Sequence, residues 1–237
     1  MTILQAPLIQ DISTNSHASL DARAQRIVEA AQNSQLLPEV RAVAAVWNIL
    51  RGYYPQEISK VRIVVFEPNN PGLSITALGT GPTVQGKLAV GAYFLNHLNT
   101  NSFARRVLQV GHELRHVDQW RQGMVGPQWM HEREFLAFYW EAITVEFPGM
   151  GQVAPSSRIK IINTALDHLN AVRLTEPRKH PQAQLFLQAL RQHYELSAVA
   201  IFEGGCCQLS EGGYESENLA AITAGRGRLA QLQAELG

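Results

Sequence analysis

The sequence predicts a helix-rich α+β fold: two helices, then a small sheet, then a helical half. Apolar residues recur at helical spacing before residue 54 and again after Ser102. Three short segments between these regions are rich in β-branched and apolar residues, as strands are. Hydrophobic residues make up 46% of the 237 residues, so the chain can bury a sizeable core without a disulfide framework.

The first half of the chain holds two predicted helices and three predicted strands. Residues 1–18 are polar and are expected to be a loose lead-in. The first helix is predicted within residues 19–35, with Ser19 as its N-cap, and the second begins near Pro38 and ends by Gly52. The three strands are predicted within residues 61–68, 73–81 and 87–94.

The second half is predicted to be helical throughout. Glycine- and proline-containing stretches such as "GMVGPQ" and "FPGMGQVAP" separate the apolar-periodic segments. The predicted helices cover roughly residues 102–122, 131–146, 157–173, 182–201 and 216–235.

Charge and cysteine content exclude several classes of protein. Twenty basic and twenty acidic side chains cancel, which argues against nucleic-acid or membrane-surface binding. The N-terminus lacks the features of a signal peptide, and no apolar run reaches the about 18 residues of a membrane span. The two cysteines, Cys206 and Cys207, are adjacent and argue against a secreted disulfide scaffold. We expect a cytoplasmic protein, or one exported by a non-classical system, with its oligomeric state left open.

The stretch "VGHELRHVDQW" is the strongest chemical signal in the chain. Residues four apart lie side by side on a helix, so His112 and His116 project together and can share one Zn²⁺. Glu113 is rotated by about 100° from His112 and can reach a water at the metal without being a ligand. The competing interpretation is an ordinary amphipathic helix that carries two histidines.

The segment "HELRH" resembles the HExxH motif of the zincin metallopeptidases. The longer "HELRHVDQW", with Gly123 after it, is similar to the HELxHVxQ pattern of a bacterial family of predicted peptidases. The resemblance covers about residues 110–124, and a weaker similarity extends to residue 141. It implies a zincin-like fold, in which a small mixed sheet packs on the HExxH helix and a helical lobe follows. Residues 19–237 would then be one metallopeptidase-like domain, with lobes at 19–125 and 126–237.

The third zinc ligand has to come from outside this motif, because Gln119 stands where the metzincin extension has glycine. Resemblance to gluzincins implies a glutamate on a following helix, and Glu134 has a similar setting, although Phe138 replaces the family's usual aspartate. Helical geometry places Glu134 and Glu141 on one face and Glu132 on the opposite face. We therefore expect Glu134 as the ligand and Glu141 as its supporting residue or the alternative ligand, with Glu132 as the outlier.

The sequence alone does not assign roles to several further histidines, tyrosines and cysteines. A peptidase also needs a hydrogen-bond donor that stabilises the oxyanion of the tetrahedral intermediate. His168 and His180 are expected to be ordinary helix-surface histidines. "FEGGCCQLSEGG" is expected to be a loop, and the alternative is that a thiolate of Cys206 or Cys207 blocks zinc in a latent enzyme. The candidate oxyanion donors are His131, Tyr139, His193, Tyr194 and Tyr214.

The leading interpretation is a zinc-dependent endopeptidase that acts on a protein or peptide substrate, with Glu113 as general base. The resemblance implies that the strand before the HExxH helix is a sheet edge that binds extended substrate; an interior strand is the alternative. The competing functions are a zinc-stabilised pseudoenzyme or binding module, and a delivered toxin or effector protease. An intact Glu113 argues against the pseudoenzyme, because a structural zinc site needs no base.

Overall fold

The computed structural model describes residues 19–144 and 146–171, together with Gly227, Ala230 and Ala234 in helical conformation. This part of the chain is a helix-rich α+β fold with a three-stranded mixed sheet, which confirms the predicted fold class at that level. The predicted helix at 182–201 and nearly all of the one at 216–235 lie outside the described residues. The elements are α1 (Ala22–Gln32), α2 (Pro38–Tyr53), β1 (Val61–Phe66), β2 (Leu73–Leu78), β3 (Gln85–Val90), α3 (Ala92–Asn96), α4 (Phe103–Arg121), α5 (Met130–Ile143) and α6 (Pro155–Ala171).

The sheet has the order β1-β3-β2. Strand β3 pairs in parallel with β1 and antiparallel with β2, where Ile75 lies opposite Leu88. Of the two alternatives for the strand before the HExxH segment, the interior position is therefore the observed one. Strand β2 is an edge of the sheet formed by the described residues.

The prediction that this strand continues to residue 94 is wrong. Strand β3 ends at Val90, and α3 begins directly afterwards with Gly91 as its N-cap. The Gly91 amide donates to the Gly72 carbonyl at 2.6 Å. A β-carbon at Gly91 would collide with the backbone of Asn70, so the chain turns here because glycine allows the close approach.

The N-cap of α1 also differs from the prediction. Asp21, rather than Ser19, accepts a hydrogen bond from the Ala24 amide at 2.7 Å. Leu20 is buried between the two candidates, and the Asp21 amide donates to the Gly149 carbonyl at 2.8 Å. These contacts fix the start of the helix two residues later than the sequence pattern suggests.

Helix α4 lies at the centre of the fold. It packs against β2 and β3 on one side and against α2 and α5 on others, and most of its side chains are buried. Such nearly complete burial is typical of a core helix rather than a surface amphipathic one. Polar residues on α4, including His112, Glu113 and His116, are therefore held in a buried, packed environment.

Helix α5 is held at its C-terminal end by α6. The guanidinium of Arg158 donates to the backbone carbonyls of Glu141 at 2.8 Å, of Ala142 at 3.1 Å and of Thr144 at 3.1 Å. These are carbonyls at the end of α5, where helices leave acceptors without an intrahelical partner. Arg158 therefore fixes the end of the helix that carries Glu134 and Glu141.

Gly111 allows α4 to approach its neighbours closely. The Tyr54 hydroxyl donates to the Val107 carbonyl at 2.8 Å, and the Trp140 ring of α5 lies across the same position. A β-carbon at Gly111 would overlap both the Trp140 ring and the Tyr54 hydroxyl. The packing of α5 against α4 therefore depends on the missing side chain.

We expect Gly111→Ala to destabilise the fold by about 1–3 kcal/mol, the usual cost of overpacking a core. At a solvent-exposed helix position, replacing glycine by alanine stabilises the protein by about 1 kcal/mol. The packing around Gly111 is therefore expected to turn a stabilising change into a destabilising one. Gly72→Ala is the control, because a β-carbon there meets no atom within 4 Å. The measurement is chemical denaturation, and a Gly111→Ala protein as stable as the wild type would contradict the packing argument.

Candidate metal centre

Two buried histidines project from one face of α4. The rings of His112 and His116 have centroids 5.0 Å apart and planes at 84° to each other. Both side chains are more than nine-tenths buried. The i, i+4 spacing places their Nε2 atoms toward the same point on α5.

Glu134 of α5 lies against both histidines. One carboxylate oxygen is 3.5 Å from His112 Nε2 and the other is 3.4 Å from His116 Nε2. The ligand atoms of these three residues all lie within 4.8 Å of one another. In the described part of the chain this is the one group of three His, Cys, Asp or Glu side chains with metal-binding geometry, and Glu132 is not in it.

A hydrogen-bond relay fixes the orientation of His116. Gln119 Nε2 donates to the backbone carbonyl of Arg133 at 2.9 Å, so the amide oxygen of Gln119 faces His116 Nδ1 at 2.8 Å. Because that oxygen can only accept, the neutral imidazole carries its proton on Nδ1. His116 Nε2 is then unprotonated, and its lone pair points toward Glu134.

A buried ion pair supports His112 in a similar way. His112 Nδ1 lies 3.4 Å from a carboxylate oxygen of Glu141, whose other oxygen pairs with the Arg105 guanidinium. Glu141 is completely buried. A carboxylate behind a histidine is the usual outer partner of a metal ligand, because it favours the tautomer with the proton on Nδ1.

The donor set fits a divalent cation. With their protons on Nδ1, both histidines present lone pairs to a carboxylate that also carries only acceptors. In the alternative tautomer of His112, its Nδ1 and the Glu141 carboxylate oxygen that faces it would lie buried with no proton between them. Two neutral imidazoles and one carboxylate are the ligand types of a catalytic zinc site.

Burial and neighbouring charges adjust the ionisation of these groups. Burial lowers the pKa of His112 to about 4, so the imidazole is neutral and can act as a ligand. Burial alone would raise the pKa of Glu134, but its contacts with the imidazoles of His112, His116 and His168 lower it overall. Burial lowers the pKa of Arg105 to about 9.

Glu113 is buried beside this cluster without belonging to it. Burial first, and then the negative charge of Glu134, raise the pKa of the Glu113 carboxyl well above its usual value. The carboxyl accepts a hydrogen bond from the backbone amide of Ile75 in β2. Glu113 therefore lies between the candidate metal ligands and the edge strand.

The structure corrects the expectation for His168. Its ring is half-buried and stacks on Phe138 at 5.8 Å, with an interplanar angle of 11°, and its Nδ1 lies 3.2 Å from Nδ1 of His131. The His168 charge also lowers the pKa of Glu134, so this histidine lies near the cluster rather than on an unrelated surface. The Tyr139 ring packs on Phe135 at 6.0 Å. The other open candidates, His180, His193, Tyr194, Cys206, Cys207 and Tyr214, lie outside the described residues.

Two supporting residues were not identified from the sequence. In the sequence Gln119 stands out only as a departure from the metzincin pattern, although its i+3 spacing from His116 is a usable signal. Arg105 had no signal, because its contact with Glu141 joins two helices. Phe138, at the position of the expected aspartate, instead packs its ring on His112 at 4.4 Å, and Glu141 supplies the carboxylate.

None of the helices among the described residues is long and apolar enough to cross a membrane. Comparison of the chain with models of known protein families, with curated proteins and with solved structures gave no match.

Proposed function

We propose that the protein is a zinc-dependent endopeptidase of zincin-like fold. His112, His116 and Glu134 would hold the metal, and Glu113 would be the general base. The observation that carries this proposal is the convergence of three ligand atoms within 4.8 Å, from two buried histidines and the partly buried Glu134, beside the buried carboxyl of Glu113. A catalytic zinc site typically combines three such ligands with an open position.

When bound, zinc would polarise the scissile carbonyl and lower the pKa of the attacking water. Glu113 would take the proton from that water and later deliver it to the leaving amine. Its buried setting raises its pKa, which makes the carboxylate a stronger proton acceptor than an exposed glutamate. The Ile75 amide orients this carboxylate through its hydrogen bond.

The position of strand β2 supports a protein or peptide substrate. This strand is an edge of the described sheet, and Ile75 places it beside Glu113. An extended protein or peptide segment would pair with the edge by main-chain hydrogen bonds. We propose that the protein acts in the cytoplasm, or, as a delivered effector, outside the cell after non-classical export.

A zinc-stabilised binding module is the main competitor, and one experiment separates it from the proposal. The purified protein is assayed for zinc content and for cleavage of a denatured protein, before chelation, after chelation and after zinc is restored. The proposal predicts about one zinc per chain and a cleavage activity that disappears and returns with the metal. Bound zinc without cleavage of any denatured or peptide substrate would support the binding module instead.

Gln119→Ala is expected to weaken zinc binding by about 10- to 100-fold, the usual effect of removing an outer partner of a metal-ligating histidine. The variant loses both the acceptor for His116 Nδ1 and the link to the Arg133 carbonyl. Gln122→Ala is the matched control, since this exposed glutamine lies one turn further along the chain. Competition with a zinc-binding dye measures both affinities, and equal values for the two variants would remove Gln119 from the site.

A further inference from the structure

Three arginines surround an open groove where the start of α1 meets the end of α2. The groove has a volume of about 480 Å³, which is within the range of small-molecule sites. Half of its lining residues are arginines and none is acidic. The lining residues are Arg23, Arg26, Ile27, Asn48, Arg51 and Gly52.

Two of the arginines are held in place by neighbouring groups. Arg23 Nη1 donates to the Gly52 carbonyl at 2.8 Å, and the guanidinium lies 5.8 Å from the centre of the Tyr53 ring. The guanidinium of Arg51 lies 6.0 Å from the centre of the Trp47 ring. Cation–π contacts of this kind orient a guanidinium without neutralising its charge.

The lining of the groove holds no acidic side chain that could pair with its arginines. Among the described residues, no ion pair joins Arg23, Arg26 or Arg51 to an acidic side chain. The carboxylate of Asp21, which precedes α1, caps the helix by accepting from the Ala24 amide. The first turn of α1 itself has no acidic residue.

Three arginines line one groove in a chain whose net charge is zero. A ligand of opposite charge would be attracted to the three guanidinium groups that line the groove. The planar donor fork of arginine matches the oxygen atoms of phosphate, and the Asn48 amide can donate a further hydrogen bond. The groove is also larger than one phosphate group, so it has room for the molecule that carries it.

We propose that this groove binds the phosphate group of a small soluble molecule. The site is independent of the candidate metal centre, so it does not depend on the proposed peptidase activity. The probe is pyrophosphate, titrated into the full-length protein by calorimetry at constant ionic strength. EDTA is present throughout, so that pyrophosphate cannot report on a bound metal.

The expected result is saturable binding of one pyrophosphate per chain. Arg26→Gln and Arg51→Gln should each weaken it by about tenfold, the effect of losing one charge-assisted hydrogen bond. Arg51→Lys should weaken it as well, because it keeps the charge but loses the planar fork. Arg62→Gln, which removes one exposed positive charge from β1, should leave the affinity within about twofold, the size of a screened surface-charge effect.

Three results would overturn the proposal. Absence of saturable binding would remove the site. Equal weakening by Arg62→Gln and the groove variants would mean an adventitious ion only. Binding to vesicles containing phosphatidate, with none to pyrophosphate, would assign the groove to a lipid surface rather than to a small soluble ligand. Circular dichroism of each variant verifies that a loss of binding is not a loss of fold.

Discussion

Glu113→Gln is expected to abolish peptide hydrolysis while zinc stays bound. The amide has nearly the same shape as the carboxylate but cannot accept the proton of the attacking water. Loss of a general base typically lowers the rate by about 10²- to 10⁴-fold. Because Glu113 is buried with a raised pKa, replacing it by a neutral amide should not destabilise the fold.

The measurement is the rate of cleavage of a denatured protein, together with zinc content, for Glu113→Gln and for Glu132→Gln. Glu132→Gln is the matched control, since it is the same substitution at a residue outside the metal cluster. Undiminished cleavage by Glu113→Gln would remove this residue from the mechanism. Loss of zinc from the same variant would mean that Glu113 is itself a ligand.

Removing any one of the three proposed ligands is expected to release the metal. His112→Ala, His116→Ala and Glu134→Ala should each lower zinc affinity by more than the about 10- to 100-fold effect of an outer partner. Glu141→Ala should lower zinc affinity by only about 10- to 100-fold, because the carboxylate that it removes faces His112 Nδ1 rather than the metal. Glu132→Ala should keep the wild-type zinc content, since Glu132 lies outside the cluster.

Metal content after dialysis, measured by mass spectrometry, distinguishes these variants. Full retention of zinc by both histidine variants would refute the central proposal. Loss confined to Glu132→Ala would mean that α5 presents a different face to α4. Complete loss of zinc from Glu141→Ala, with no loss from Glu134→Ala, would mean that Glu141 is the ligand and Glu134 the supporting residue.

Helical periodicity was sufficient to predict which residues could meet. The spacing of His112 and His116 placed both on one face, and the turn per residue placed Glu134 and Glu141 together on the next helix. The structure brings Glu134 against both histidines and Glu141 against His112. Such local rules succeed here because α4 and α5 are regular helices packed directly on each other.

Contacts between distant elements could not be predicted in this way. Arg105 meets Glu141 across two helices, and Gln119 reaches the Arg133 carbonyl only because the turn after α4 returns α5 to it. The end of β3 depends on the approach of Gly91 to the Asn70 backbone, which no periodicity shows. The contacts of His168 could not be predicted either, because helical periodicity alone does not show which face of α6 meets α5.

The central claim is that His112, His116 and Glu134 together hold one zinc ion. Anomalous diffraction at the zinc edge, from crystals of the zinc-loaded protein, tests it most directly. The account predicts a single strong peak at about 2.0–2.2 Å from His112 Nε2, His116 Nε2 and a Glu134 carboxylate oxygen. A peak at Cys206 and Cys207, or at Glu132, with none between these three side chains, would contradict it.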